Sequence, residues 1–535
     1  MSLLYVVIGV PFFIWIARNI LFWTSLWQIK EYRFDRVLIH LRETKQGRSL
    51  IFSKLLIIKL LAISLYIFVI LNSKLLLPYQ YLIGIIFLLE FYLVLREIFL
   101  NIYKVPVLTL KSLSILVSAF SVILLLFFVP LMEGFFWILI LDRLAVLLLM
   151  AFVFLFSFPT EIYRDFIIEK AIKKIKSKKD LLVIGITGSY GKSSTKDYVS
   201  QILENNFNVL KTEGTNNTPI GIANTILSGL NKNTKIFVVE MGAYKKGEIS
   251  QMCEIVHPKI GILTAVSGQH LSLFKTTQNV MDAKYELIKS LPPNGLALFN
   301  GNDKNAYFLY NRTKKKKLLY KVNKSIVLSD GKSGIFAFNV VVGKKHLDFD
   351  VVLRKKIISG LRAPLIGEHN IEDILPGIYI ADYLGMTSSE IKKSVLSLCP
   401  LKKTMNLYEN LSGVSLVDDT FNASPDAVLA AIDYMKIFSK KRILVLQPMI
   451  ELGKNAAYEH WRVAKEISQI CDYLLLTNKN FNDPILKGVE ESDGNCIIKM
   501  GNSQYLAEFI KKNARKGDVI VFEGKESGLV FERVF

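Results

Sequence analysis

The sequence predicts an α-helical membrane region followed by open, mostly parallel α/β sheets. Three observations lead there. Apolar residues make up 51% of the 535 positions, and nearly all of the excess lies before residue 160. A glycine-rich turn, Gly185-Ile186-Thr187-Gly188-Ser189-Tyr190-Gly191-Lys192-Ser193-Ser194-Thr195, separates an apolar run from a helical pattern. Beyond it, short apolar runs alternate with helical periodicity to the end of the chain.

The first part reads as five spans: roughly Leu3 to Trp27, Leu55 to Leu71, Tyr79 to Leu95, Leu113 to Val129 and Phe135 to Phe158. Each has about the 17–25 residues that crossing a bilayer requires. Lys30, Arg33, Arg36, Arg42, Lys45 and Arg48 fill the first connection, and Arg96 and Lys104 follow the third span. After the fifth come Arg164, Lys170, Lys173, Lys174, Lys176, Lys178 and Lys179, whereas the two other connections hold only Lys74 and Glu133. The positive-inside rule then predicts a multi-pass protein of the cytoplasmic membrane, with its N-terminus outside and everything after residue 160 in the cytosol. The same basic flanks account for much of the formal charge of +21, so a lipid bilayer, and no nucleic acid, is the expected partner. No small-residue cleavage site follows the first span, which reads as a retained anchor.

Arg18, Glu90, Asp142 and Arg143 fall within or at the ends of the spans. Charges there are costly, so they are expected to pair or to line a polar cavity. Asp142 and Arg143 point to different sides of a helix, which predicts a partner for each on another helix. Ile167 to Lys179 reads as a basic, partly amphipathic helix, a solvated linker held near anionic head groups.

The glycine-rich turn has the setting of a phosphate-binding loop. Leu181 to Ile184 precede it as a buried strand, and Tyr198, Val199, Ile202 and Leu203 recur behind it at helical spacing. Glycines let backbone N–H groups close around phosphate oxygens, and the helix start adds partial positive charge. Thr187, Gly188, Ser189, Gly191, Ser193 and Ser194 are the expected nucleotide contacts. Lys192 would reach the β- and γ-phosphates of ATP, and the Ser193 hydroxyl would sit on Mg²⁺. The full phosphate-loop pattern is not met, because Ile186 stands where its first glycine belongs.

Further apolar strands are read at Ile236–Val239, Ile260–Leu263, Leu296–Phe299, Ser415–Val417, Ile443–Leu446, Tyr473–Leu476 and Val519–Phe522. Glu240 ends the first of these, the place of a second Mg²⁺ ligand opposite the loop. His270 and Lys284 lie beyond the next strand. Spacing alone makes that histidine structural and that lysine a solvated charge. A break near Leu398 to Thr404 divides a central nucleotide domain, 181–399, from a C-terminal domain, 400–535, after a membrane region 1–160 and a linker 161–180. Lys314 to Lys317 reads as a solvated loop. Cys253, Cys399, Cys471 and Cys496 show no metal-ligand spacing and fit reduced thiols of the cytosol.

Read together, these pieces resemble the Mur ligases, ATP-dependent enzymes that build the peptide stem of peptidoglycan, and most of all the branch that adds D-alanyl-D-alanine. The likeness rests on the glycine loop, Glu213-Gly214 with Asn217 to Gly221, Val239 to Ala243 with Gly247-Glu248-Ile249, and His270 to Phe274. It continues through Ala283 to Glu286, Gly367-Glu368-His369-Asn370, Val417 to Pro425 and Glu451-Leu452-Gly453, in the family's order.

The resemblance implies a phosphate-loop central domain, a Rossmann-like C-terminal domain, and a carboxylate–amine ligase working through an acyl phosphate. It puts Lys192 on the phosphates, Ser193 and Glu240 on one Mg²⁺, and His270 on a second. Lys284 becomes the lysine that family members carbamylate, which would make it a carboxylate-like oxygen ligand for the metal, Asn300 and Asn370 face the adenine, and Asp419 faces the ribose. Its substrates would be a UDP- or lipid-linked muropeptide and an amino acid or dipeptide amine.

Four departures stand out. Thr404, after Lys402 and Lys403, occupies the place of a phosphate-reaching arginine, so a less directional lysine substitutes or turnover is impaired. Gln447-Pro448 replaces a Gly-Asp pair. Glu523-Gly524-Lys525-Glu526 departs from a basic ending. The membrane spans stand where the family has a soluble domain for its UDP-sugar precursor, which suggests either a membrane-borne acceptor, such as a lipid-linked muropeptide, or a UDP-precursor held in a shortened way. A transport ATPase would need a Leu-Ser-Gly-Gly-Gln-type signature, and none is present. Two readings stay beside the ligase: a non-catalytic ATP-binding scaffold, and amidation of a lipid-linked stem peptide with ammonia from a partner chain.

Overall fold

The computed structural model describes residues 3–535 apart from 44, 52, 101, 130–132, 215, 268–273, 324–332, 355, 411 and 451. His270, with Leu271, Ser272 and Leu273, and Glu451 therefore lie outside the described residues. Two compact units, Met1–Phe166 and Ile167–Phe535, divide the chain.

The first unit is helical. Its long members are α1 (Leu3–Ile29), α2 (Lys54–Leu71), α3 (Leu76–Phe99), α4 (Leu110–Phe128) and α5 (Gly134–Leu155). Among the described residues, four stretches are long and apolar enough to cross a membrane: Val7–Ile29, Gly47–Leu71, Leu110–Phe128 and Gly134–Lys176. The expected span Tyr79–Leu95 forms the body of α3, which is not among those four. Ser53 caps α2 through the Leu56 N–H, and Thr109 with Ser112 makes a capping box on α4, so both starts are set by local hydrogen bonds.

The unit is apolar outside as well as inside. Ile67, Ile70, Leu71, Ile85, Leu125 and Leu147 are exposed around a core of Phe12, Ile83, Phe87, Ala119 and Ile138. Lys59, Glu90 and Asp142, in contrast, are buried. Lys59 of α2, 1% exposed, meets Glu90 of α3 at 2.7 Å and Asp142 of α5 at 2.8 Å. Trp15 of α1 donates its indole N–H to Asp142 at 2.9 Å, and Lys59 also lies over the Trp15 and Phe87 rings. Four helices thus meet on one polar knot. The expected partner for Arg143 on another helix is corrected, because its guanidinium folds back onto Asp142 of its own helix at 2.9 Å. Arg18 pairs with Glu97 at 2.6 Å.

The helix Ser157–Lys176 continues across the boundary of the two units. Its second half is no solvated linker: Ile168, Ala171 and Ile175 are buried in the core of the second unit, and Lys174 donates to the Leu227 carbonyl. Spacing revealed the apolar face but not what covers it.

The second unit holds two sheets. The first has strands β1 (Leu182–Thr187), β2 (Val209–Lys211), β3 (Ile236–Glu240), β4 (Ile260–Leu263), β5 (Leu296–Asn300), β6 (Lys317–Val322), β7 (Gly334–Val342), β8 (Leu347–Leu353) and β9 (Lys356–Ala363). Their order is β2-β3-β1-β4-β5-β6-β7-β8-β9, parallel as far as β7 and antiparallel beyond. Lys317 opens β6 and donates to the Tyr310 carbonyl, while Lys315 donates to the carbonyls of Lys289 and Leu291, so the expected solvated loop at Lys314–Lys317 is partly bonded. The second sheet runs β10 (Asn406–Glu409), β11 (Ser415–Asp419), β15 (Val519–Glu523), β12 (Arg442–Leu446), β13 (Tyr473–Leu476), β14 (Ile497–Met500), with β10 alone antiparallel. In both sheets the functional candidates stand where parallel strands end and helices begin, the place where such sheets bind ligands.

Candidate active site

β1 pairs with β3 on one side and β4 on the other, so the loop after β1 emerges at the centre of its sheet. Gly188 leaves no room for a side chain, since a Cβ there would lie 2.0 Å from the Thr264 hydroxyl. Gly191 turns the chain at φ +76° with Asp373 directly behind it, a conformation that L side chains avoid. The turn is pinned by the Ser189 N–H on the Ala265 carbonyl at 2.7 Å and the Thr187 hydroxyl on the Met241 carbonyl at 2.8 Å. The helix Lys192–Glu204 starts immediately after it, with Ser193 and Ser194 in its first turn and no side-chain cap. Its free N–H groups face the turn, which makes a cradle for an anion.

Lys192 donates to the Ser189 carbonyl at 2.8 Å, so its ammonium arches over the loop. Glu240, 2% exposed at the end of β3, accepts from the Ser193 hydroxyl at 2.9 Å, from Lys196 at 3.2 Å and from Asn217 at 3.0 Å. Ser193 and Glu240 therefore bring two hard oxygen donors together, the chemistry Mg²⁺ selects. Lys196, 1% exposed, was not singled out in the sequence; only its i+4 spacing from Lys192 marked it.

Lys284 is buried in the helix Thr277–Ser290. Burial and the nearby Lys192 charge bring its ammonium down to about 7, against the pull of Glu248, Glu286 and Glu240. The solvated-charge reading of its spacing is thereby corrected. Lys192 is lowered by burial too, with Glu240 opposing.

Behind the loop, the helix His369–Tyr383 brings Asp373 against Thr195, whose hydroxyl donates to it at 2.7 Å. Burial raises Asp373 to about 8 and Glu372 to about 6. Asn300, at the end of β5, donates to Glu372 at 2.7 Å. Asn370 accepts from the Tyr198 hydroxyl and donates to the Ile366 carbonyl, so both halves of its amide are already engaged within the protein.

In the second sheet Asp419 and Glu523 are direct partners on neighbouring parallel strands. Glu523 is fully buried, and apart from Asp419 neither of its oxygens has a hydrogen-bond partner among the described residues. Burial raises both groups; Asp419 raises Glu523 further, while the hydrogen bond from Glu523 favours the ionised form of Asp419. The pair is expected to hold a proton that the unfolded chain releases, so stability should fall as pH rises above the ordinary carboxylate range. Glu523→Gln should raise the melting temperature at pH 8 and flatten its decline between pH 5 and 8. An unchanged slope would show that the two carboxyls do not share a proton. Thr404 carries a buried hydroxyl without a partner among the described residues, while Lys402 and Lys403 are exposed.

Comparison with known proteins agrees with this architecture. A family model described as the Mur ligase middle domain matches residues 186–381, and one described as the Mur ligase, glutamate ligase domain matches 405–526. UDP-N-acetylmuramoyl-tripeptide--D-alanyl-D-alanine ligase of Bacillus subtilis is 27% identical over 359 residues, covering 66% of this chain and 74% of its own length. The protein of that name from Buchnera aphidicola is 29% identical over 341 residues, 64% of this chain and 70% of that one. The crystal structure of MurF ligase from Thermotoga maritima in complex with ADP superposes with a TM-score of 0.61 at 25% identity, over 69% of this chain and 82% of that one.

Proposed function

The chain carries the middle and C-terminal domains of a Mur ligase, and from that premise we propose that it is a MurF-type, ATP-dependent ligase. It joins D-alanyl-D-alanine to the carboxylate of a muropeptide in peptidoglycan synthesis. The observation that carries the reading is the convergence of Lys192, Ser193 and Glu240 at one strand-end cradle within a fold shared with ADP-bound MurF.

In this reading the loop N–H groups of Gly188 to Ser194 hold the triphosphate, and Lys192 leaves the Ser189 carbonyl for the β- and γ-oxygens. Ser193 and Glu240 would hold Mg²⁺, which would supply charge neutralisation at the phosphoryl oxygens. Asp419 takes the ribose. Asn300 and Asn370 mark the adenine end, Asn370 by its place in the fold, since its amide is engaged. An oxygen of the acceptor carboxylate attacks the γ-phosphorus and the bond to ADP breaks. The amine nitrogen then attacks the acyl carbon, phosphate leaves, and the nitrogen gives up its surplus proton to water. Phosphoryl transfer asks mainly for positioning and charge balance, which this arrangement supplies. His270 is kept as a candidate ligand for a second Mg²⁺.

Lys284 is proposed as a carbamylated lysine. The neutral amine reacts with CO₂, and with the ammonium lowered to about 7 that form dominates above this pH and fades below it. Labelled ¹³C-bicarbonate should give a carbamate NMR signal at pH 8 that vanishes below about pH 6 and is absent in Lys284→Met. A signal independent of pH or of Lys284 would exclude the assignment.

We further propose that α1 to α5 cross the cytoplasmic membrane, with the N-terminus outside and the ligase domains in the cytosol. The four long apolar stretches and the inside-out burial of charge and apolar surface support this, and α3 completes the odd number of crossings. The acceptor is then membrane-borne, a lipid-linked muropeptide, in place of the UDP-linked precursor that the relatives' names specify. ADP release with D-alanyl-D-alanine and either acceptor decides: turnover on the lipid-linked form supports this, and turnover on the UDP-linked form alone leaves the ligase but removes the membrane substrate. One observation favours a non-catalytic variant, the absence of a basic group at Thr404. It requires ATP binding with no ADP release in the presence of any amine.

A further inference from the structure

Three lysines, Lys192, Lys196 and Lys284, gather around one carboxylate, Glu240. Lys196 is the closest. Its ammonium is buried, 3.2 Å from the Oε2 atom that also accepts from Ser193, and it also donates to the Gly214 carbonyl at 2.9 Å. Glu240 is further fixed by Asn217 on Oε1 and by its own N–H on the Thr212 hydroxyl. Geometry alone would make Lys196 a mere prop, but its charge has a consequence that a prop lacks. A divalent cation on Ser193 and Glu240 shares the oxygen that Lys196 already neutralises, in a site where water screens poorly. With Lys192 nearby as a second positive charge, the cradle without nucleotide disfavours a free cation. A bound triphosphate, with about four negative charges, reverses that balance.

We propose that Lys196 is a positioning residue that occupies Glu240 electrostatically until nucleotide arrives, so that the metal enters with ATP and not before it. The proposal rests on the ligase reading for the identity of the site, but its test does not need turnover. Mn²⁺ binding to the full-length protein is measured by electron paramagnetic resonance, without nucleotide and with a non-hydrolysable ATP analogue. Lys196→Met should bind free Mn²⁺ at least tenfold more tightly than wild type and narrow the gap between free and nucleotide-loaded affinity. Lys196→Arg keeps the charge and should behave as wild type. Glu240 retains Ser193 and Asn217 as donors in either variant, and a melting curve reports whether the fold persists. Should Lys196→Met not fold, Lys196→Gln serves, with the same gain expected. Free Mn²⁺ affinity that is unchanged or weaker in a folded neutral variant overturns the proposal. Tighter Mn²⁺ binding beside a wild type that ligates no acceptor would overturn the ligase reading while leaving this one in place.

Discussion

Replacing Lys192 with alanine is expected to lower ligation by about 10²–10³-fold, the cost of losing one preorganised group aimed at developing charge. Among the described residues the ammonium makes one hydrogen bond, to the carbonyl of Ser189, and burial works against its charge. Its loss should therefore leave the fold intact, and the melting temperature should hold or rise while kcat for ADP release collapses. Lys192→Arg should not rescue, because a planar fork cannot take the place of a compact ammonium over a tight loop. A variant that retains more than about a tenth of wild-type kcat would remove Lys192 from the phosphate-binding role.

The second large effect belongs to the helical unit. Lys59→Met should destabilise the detergent-solubilised protein by about 3–5 kcal/mol, the usual cost of leaving a buried charge without its partner. Among the described residues Glu90 has this ammonium as its one ion-pair partner, whereas Asp142 keeps Arg143 of its own helix and the Trp15 indole. Adding Glu90→Gln to Lys59→Met removes the stranded charge and should recover most of the loss. Cumulative destabilisation in the double variant would mean that the knot acts through shape and hydrogen bonding, not charge.

The glycine turn between β1 and its helix was legible because strand, glycines and helix lie together in sequence, and each signal is local. Glu240 was legible for the same reason, as the polar residue that closes an apolar strand. Lys59 was not, since a single lysine in an apolar run reveals its need only when Glu90 and Asp142 are brought beside it by other helices. The Asp419–Glu523 pair was hidden likewise, because it depends on β15 lying next to β11, an order that the chain does not announce. Strands β7 to β9 are less legible, because exposed residues interrupt β7 and β9 and break the continuous apolar run that marks a buried strand. Asn300 and Asn370 came from the resemblance alone, and their amide partners, Glu372 and Tyr198, come from elsewhere in the fold.

The central claim is that an acceptor carboxylate takes the terminal phosphoryl group of ATP before the amine arrives. An acceptor carrying ¹⁸O in that carboxylate, incubated with ATP and D-alanyl-D-alanine, tests it directly. One labelled oxygen per turnover should appear in the released phosphate, because the acyl–oxygen bond breaks when the amine attacks. Phosphate released without label, at a rate indifferent to the amine, would contradict the account.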